Sequence, residues 1–265
     1  MCGIAGFSLA PTFDLDRSAL AKVLLAGLAE RGQDATGYGY RAADGGVRVV
    51  KESQKLARMI DRIDLPGDTP EAVMHVREYT KGVPGLNDNN HPVRWGRVVG
   101  VHNGHIDNDD ALFEAYGRER STPEITVDSE AIMMLTEVLG DLGRALELVR
   151  GSAAVAVLHD GDAGGLTLAR RTRRPLVVGR GAGVFLFAST RAPLELVADG
   201  AGLHLDYEDL EDGTLLEVEQ GREIGRRRFA VDYRYAGRRL VEYPTLPEQE
   251  RLVRSALSSL RVATA

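Results

Sequence analysis

Residues 2–9, Cys-Gly-Ile-Ala-Gly-Phe-Ser-Leu, carry no charge and are apolar or small almost throughout. A run of this length and composition suits a buried strand, so residue 2 and its neighbours are expected inside the fold. From Leu15 to Glu30, Leu20, Val23, Leu24 and Leu28 recur at helical spacing, and Gly32 is placed to end that helix. Tyr38–Ala42 and Val47–Lys51 flank Asp44-Gly45-Gly46 and read as a hairpin. Val73–Arg77 and Val98–Val101 read as strands separated by a loop rich in Gly, Asn and Pro from Gly82 to Pro92. Asp109–Glu119 and Ser129–Leu139 have helical patterning, as does Ala192–Ala198. Ser152–Leu158, Leu166–Ala169, Leu176–Val178, Val184–Ala188 and Leu215–Val218 are short β-favouring runs. Strands in both halves with helices between them suggest stacked antiparallel sheets covered by helices.

The length of 265 residues fits one large domain with an appendage, and 43% hydrophobic residues are enough for a substantial core. The character changes near Phe229, with Tyr233, Tyr235, Tyr243 and Pro244 followed by an amphipathic stretch from Pro247 to Arg261. Residues 2–229 are therefore taken as the domain and 230–265 as a C-terminal extension. A net charge of -6 provides no global attraction for nucleic acid, and Arg170, Arg171, Arg173 and Arg174 read as a solvated basic edge. No window approaches the roughly 20 apolar residues of a membrane span. With one cysteine and no secretory leader, a cytoplasmic location is expected.

Cys2 has two readings, a small buried hydrophobe or a nucleophile. Removal of Met1 would place a thiol and a free α-amine on one residue. That amine has a reference pKa of about 7.7 to 8.0, so it can accept the thiol proton near neutral pH. Acyl transfer also needs oxyanion donors, for which Asn103-Gly104 is a candidate; an Asn-Gly turn after the strand Val98–Val101 is the bland alternative. Arg77 suits a substrate carboxylate and Asp128 a substrate ammonium, although a surface ion pair and a helix N-cap are equally ordinary uses of these residues.

In order along the chain, these pieces resemble the glutaminase domain of class II glutamine amidotransferases. Met1-Cys2-Gly3-Ile4 resembles the processed nucleophile, and Arg31-Gly32-Gln33-Asp34-Ala35-Thr36-Gly37 the Arg-Gly-x-Asp segment. His75-Val76-Arg77-Glu78-Tyr79-Thr80-Lys81-Gly82 is similar to the glutamine loop. Asn90-His91-Pro92, then Val101-His102-Asn103-Gly104-His105-Ile106-Asp107-Asn108, then Asp128-Ser129-Glu130 follow in the expected order. The likeness continues more weakly through Arg173–Gly179 and Phe187-Ala188-Ser189-Thr190.

The resemblance implies an α+β fold, the four-layer αββα sandwich of N-terminal nucleophile hydrolases. It also implies Cys2, Asn103 and Gly104 as catalytic residues, Arg77, Thr80, His91 and Asp128 on the substrate side, and Arg31 and Gly32 in support. The histidines at 75, 91 and 102 take structural or supporting places, and no ligand set completes a metal site. Gly179–Gly183 lacks the setting of a nucleotide loop and reads as a turn between strands, so no cofactor is expected. Glu78 and Tyr79 stand where sugar-phosphate synthase members carry Trp and Ala, which points to different gating.

The expected partners are L-glutamine and a separate ammonia-accepting synthase subunit that docks over the glutamine loop; a homo-oligomer is compatible with the sequence. Two other functions stay open: an amidase of the same type acting on another γ-glutamyl amide, and a non-catalytic regulatory or scaffolding subunit that keeps the domain and uses its C-terminal tail for binding.

Overall fold

A computed structural model of the chain describes residues 2–161, 165–235 and 247–260. Met1, Tyr243, Pro244 and Arg261 lie outside them. In chain order the elements are β1 (Gly3–Leu9), α1 (Arg17–Ala26), β2 (Ala35–Arg41), β3 (Val47–Glu52), α2 (Leu56–Met59), β4 (Glu71–Arg77), β5 (Val93–Trp95) and β6 (Val98–Ile106). There follow α3 (Asp109–Ala115), α4 (Ser129–Leu139), α5 (Leu142–Leu148), β7 (Gly151–His159), β8 (Leu166–Thr172), β9 (Val177–Gly181), β10 (Val184–Ala188), α6 (Ala192–Ala201), β11 (Asp206–Asp209), β12 (Thr214–Glu219), β13 (Arg222–Arg228) and α7 (Pro247–Ser259).

Two antiparallel sheets result. The seven-stranded sheet runs β11-β9-β10-β1-β4-β2-β3 and the six-stranded sheet β13-β12-β8-β7-β6-β5. The uncharged run at residues 3–9 thus lies mid-sheet, paired with β10 on one side and β4 on the other. Because side chains alternate along a strand, β1 divides between two cores. Ala5, Phe7 and Leu9 pack under α1, whereas Ile4 faces the second sheet among Val99, Val101, Ala154 and Phe187. On β4, Ala72, Met74 and Val76 take the helix side and Val73 the inter-sheet side. Each fully buried Phe or Leu is worth about 1.5 to 3 kcal/mol of transfer free energy, which makes this parity costly to violate.

Helices cover both outer faces. Asp16 caps α1 by accepting from the Ala19 N–H at 2.9 Å, and α1 packs beneath α6 and α7. Across the molecule α4 lies on β5 and β6, with Ile132, Met133 and Leu135 in the outer core of the six-stranded sheet. Leu252, Ala256 and Leu260 bring α7 onto α1. Among the described residues no helix is long and apolar enough to cross a membrane.

Several local expectations are corrected. The first helix ends at Gly27 and a 3-10 turn covers Ala29–Arg31, so Gly32 does not terminate it. The helix expected to Glu119 stops at Ala115, and Leu142–Leu148 forms a helix that its pattern did not reveal. Gly179 and Gly181 lie within β9, which narrows the turn before β10 to residues 182–183. Arg171 is no solvated edge: it is 0% exposed and donates to the carbonyls of Leu146, Gly151 and Asp232, which compensates its burial.

Candidate active site

The same parity that builds the inter-sheet core places polar residues where that core runs out. Residues 71, 73, 75 and 77 of β4 share the face of Val73, and residues 99, 101, 103 and 105 of β6 share the face of Val99 and Val101. Arg77 and Asn103 therefore stand on facing inner surfaces. Cys2 lies one step before the Gly3–Val76 pair, at the level of Arg77.

Asn103-Gly104 is not a turn, because β6 runs through it to Ile106 with Asn103 opposite Ala154 and Gly104 opposite Ala153. Asn103 is 1% exposed; its Nδ2 lies 3.3 Å from Ser189 Oγ, and its Oδ1 is buried without a partner among the described residues. Gly104 is required by close approach. A Cβ there would sit 1.9 Å from the Ser152 carbonyl oxygen and 2.3 Å from His102 Nε2.

The Cys2 thiol donates to the Glu78 carbonyl at 3.4 Å, and the Cys2 carbonyl accepts from Arg31 Nε at 3.1 Å. Burial pushes the thiol pKa up, opposed by the Glu78 hydrogen bond and the positive charge of Arg77, while Asp128 adds to the rise. Asp34 grips the loop start: its Oδ2 accepts the Tyr79 N–H at 2.6 Å and its N–H donates to the Arg77 carbonyl at 3.0 Å. Gly32 permits this approach, since a Cβ on it would meet the Arg77 backbone at 2.4 Å.

Arg77 is buried and bonded to its own loop, through Nη1 to Asn90 Oδ1 and through Nη2 to the carbonyls of Lys81 and Gly82. Burial lowers its pKa, against the raising influence of Cys2, Asp128 and Asp34. Asp128 precedes α4 but makes no capping bond. Only 3% exposed, its Oδ2 accepts the Ile106 N–H at 2.7 Å and lies 3.5 Å from His105 Nδ1.

Thr80 is exposed on the loop. His91 is buried in a stacked pair with His75, ring centroids 4.1 Å apart, and neither of its ring nitrogens has a partner among the described residues. Thus Cys2, Arg77, Asp128 and Asn103 occupy one end of the inter-sheet space, while His91 sits behind them in packing.

Known proteins share this arrangement of sheets. A family model described as a glutamine amidotransferase domain matches residues 84–195. The glutamine–fructose-6-phosphate aminotransferase (isomerizing) of Thermus thermophilus is 33% identical over 256 residues, covering 88% of this chain. That of Listeria innocua is 29% identical over 247 residues, again 88% of this chain. The chain carries a class II glutamine amidotransferase domain. It spans 39% of the length of each of these two relatives. The glutamine phosphoribosylpyrophosphate amidotransferase of B. subtilis, solved with ADP and GMP, superposes with a TM-score of 0.70 at 18% identity, covering 87% of this chain and 50% of that one. A glutamine aminotransferase class-II domain protein of Silicibacter pomeroyi gives a TM-score of 0.53 at 17% identity, over 86% of this chain and all of that one. The two antiparallel sheets with their helices are accordingly the N-terminal nucleophile hydrolase architecture of these amidotransferases.

Within this amidotransferase domain, sequence reading missed the residues that hold the loop and the strand ends. Lys81 Nζ bonds both carboxylate oxygens of buried Asp109, at 2.7 and 2.6 Å, and Arg120 Nη2 bonds Asp109 and Asp110 at 2.6 Å each. His102 Nδ1 meets Ser129 Oγ at 2.8 Å, fixing β6 against α4. Ser189, quoted only as part of a weak motif, links Asn103 to the Ile4 N–H at 3.0 Å. Motif order carries no signal for such partners, because each is set by a cross-chain contact.

Proposed function

We propose that the chain hydrolyses the side-chain amide of L-glutamine to glutamate and ammonia, with Cys2 as the nucleophile once Met1 has been removed. The observation that carries this reading is the convergence of the Cys2 thiol, a buried carboxamide, a guanidinium and a carboxylate at one end of the inter-sheet space. The thiol passes its proton to the α-amine of Cys2, and the thiolate attacks the side-chain carbonyl carbon of glutamine. Asn103 Nδ2 and the Gly104 N–H hold the developing oxyanion, each such donor being worth about 3 to 4 kcal/mol. The C–N bond breaks, the ammonium proton goes to the leaving nitrogen, and ammonia departs from a thioester. Water, deprotonated by the same amine, then releases glutamate.

Burial of the thiol opposes thiolate formation, so the nearby Arg77 charge matters to the first step. In this reading Arg77 receives the substrate carboxylate and Asp128 its ammonium, with Thr80 and His91 shaping the loop side. Arg31 and Gly32 support the Cys2 backbone and the start of the loop. Ammonia passes to a separate acceptor protein that docks over the 78–89 loop, where Tyr79, Val83 and Leu86 are exposed.

Intact mass measurement after incubation with the glutamine analogue 6-diazo-5-oxo-norleucine tests the assignment. We expect a species lacking Met1 with one adduct, none on Cys2→Ala, and a fall in glutamine turnover of about a thousandfold or more in that variant. Full glutaminase activity in Cys2→Ala sinks the reading.

A further inference from the structure

Ser189 stands one residue beyond β10, where the alternation of that strand aims it between the sheets with Phe185 and Phe187. It is 0% exposed and continues the ladder to β1: its N–H donates to the Ile4 carbonyl at 2.8 Å, and its Oγ accepts the Ile4 N–H at 3.0 Å. The Asn103 carboxamide lies 3.3 Å from the same oxygen. With Nδ2 as the nearer end, Ser189 Oγ accepts twice, its own proton finds no acceptor among the described residues, and Asn103 Oδ1 is buried without a partner.

The two ends of a carboxamide are nearly equal in size and differ in what they can bond. With the ends exchanged, the Ser189 hydroxyl keeps the Ile4 N–H and donates its proton to Asn103 Oδ1, which satisfies both groups. The amide NH2 then takes the place of the unpartnered Oδ1, on the inner face of β6 that looks toward the inner face of β4 carrying Arg77. A donor left over at that place is what a developing oxyanion requires, whereas a carbonyl oxygen there would repel it.

We propose that Ser189 is a positioning residue that holds the Asn103 carboxamide with its NH2 toward the reacting carbonyl. This rests on the glutaminase reading above. Ser189 acts through Asn103 and touches no substrate. Its competing role is to tie β10 to β1 through Ile4, which would act on Cys2, two residues away, and on stability.

The experiment uses the full chain with Ser189→Ala, Asn103→Ala and the double variant. Glutamine turnover is read beside the rate of Cys2 alkylation by iodoacetamide, a displacement that forms no oxyanion. We expect Ser189→Ala to lower kcat by about tenfold or more with KM changed less than about twofold. Alkylation should stay within about twofold of the wild type. In the Asn103→Ala background, adding Ser189→Ala should cost less than about twofold.

Unchanged kcat in Ser189→Ala, alkylation that falls with turnover, or costs that multiply in the double variant each overturn the assignment. If Ser189→Ala does not fold, Ser189→Cys, similar in size but a weak donor, replaces it with the same expected outcomes. A wild type without Cys2-dependent turnover overturns the glutaminase reading and this inference together; that outcome is seen before any Ser189 variant is made.

Discussion

Gly104 has no room for a side chain, and the reason is the same strand position that makes its N–H the proposed oxyanion donor. It lies in β6 with the Ser152 carbonyl 1.9 Å from where a Cβ would stand, so its backbone is pressed against β7 beside Asn103. Gly104→Ala must part the two strands or tilt the residue, at a cost of about 1 to 3 kcal/mol in chemical denaturation. Since that shift also moves the proposed oxyanion donor, we expect turnover to fall by at least about a hundredfold. A variant of full stability and activity would remove Gly104 from the site. Cys2 illustrates a different constraint: burial that shields the proposed nucleophile also raises its pKa, and Arg77 offsets part of that effect.

At the scale of elements, the 78–89 loop is tethered at several points. Asp34 holds its start, Arg77 bonds the carbonyls of Lys81 and Gly82, and Lys81 reaches Asp109 at the head of α3. Lys51 Nζ adds donors to the carbonyls of Asp88, Asn90 and Pro92, and its burial lowers its pKa to about 8. Lys81 is partly exposed, so its ion pair is screened, and Asp109 keeps Arg120 when Lys81 is removed. We therefore expect Lys81→Met to loosen the loop by about 1 kcal/mol, raising KM for glutamine about fivefold with a smaller change in kcat. A kcat loss with KM unchanged would place Lys81 outside the binding step.

At the scale of the molecule, three buried histidines make stability depend on pH. Burial lowers the pKa of His75, His91 and His102, the first two well below the ordinary value. In the unfolded chain each titrates near 6.5. Below that pH the unfolded state binds protons that the folded state refuses, so stability is full above about 6.5 and declines as pH falls toward the folded values. Each histidine contributes up to about 1.4 kcal/mol per pH unit. Denaturation midpoints measured between pH 7.5 and 5.5 should show this decline, and His91→Phe should make it shallower. An unchanged slope would mean that His91 is protonated in the folded state.

How far these features were legible from sequence differed with their physical origin. The buried strand at residues 2–9, the hairpin at Asp44-Gly45-Gly46 and the helix at Ser129–Leu139 follow from local composition, periodicity and turn chemistry, which act within a few residues. The ordered motifs around Cys2, Arg77, Asn103 and Asp128 were readable because each sits on a short stretch with its own spacing. Arg171 was misread, since its burial depends on carbonyls supplied by Leu146, Gly151 and Asp232 from three other parts of the chain. Asn103-Gly104 looked like a turn because the strand opposite it is contributed by residues 151–159, some 50 positions away. The sequence by itself determined the buried strand that begins near residue 2 and the strand that ends at Arg77. Only the tertiary structure decided that β6 carries Asn103 onto an inner face opposite that of Arg77, and that Ser189 stands between β1 and Asn103, because long-range strand pairing has no local signature.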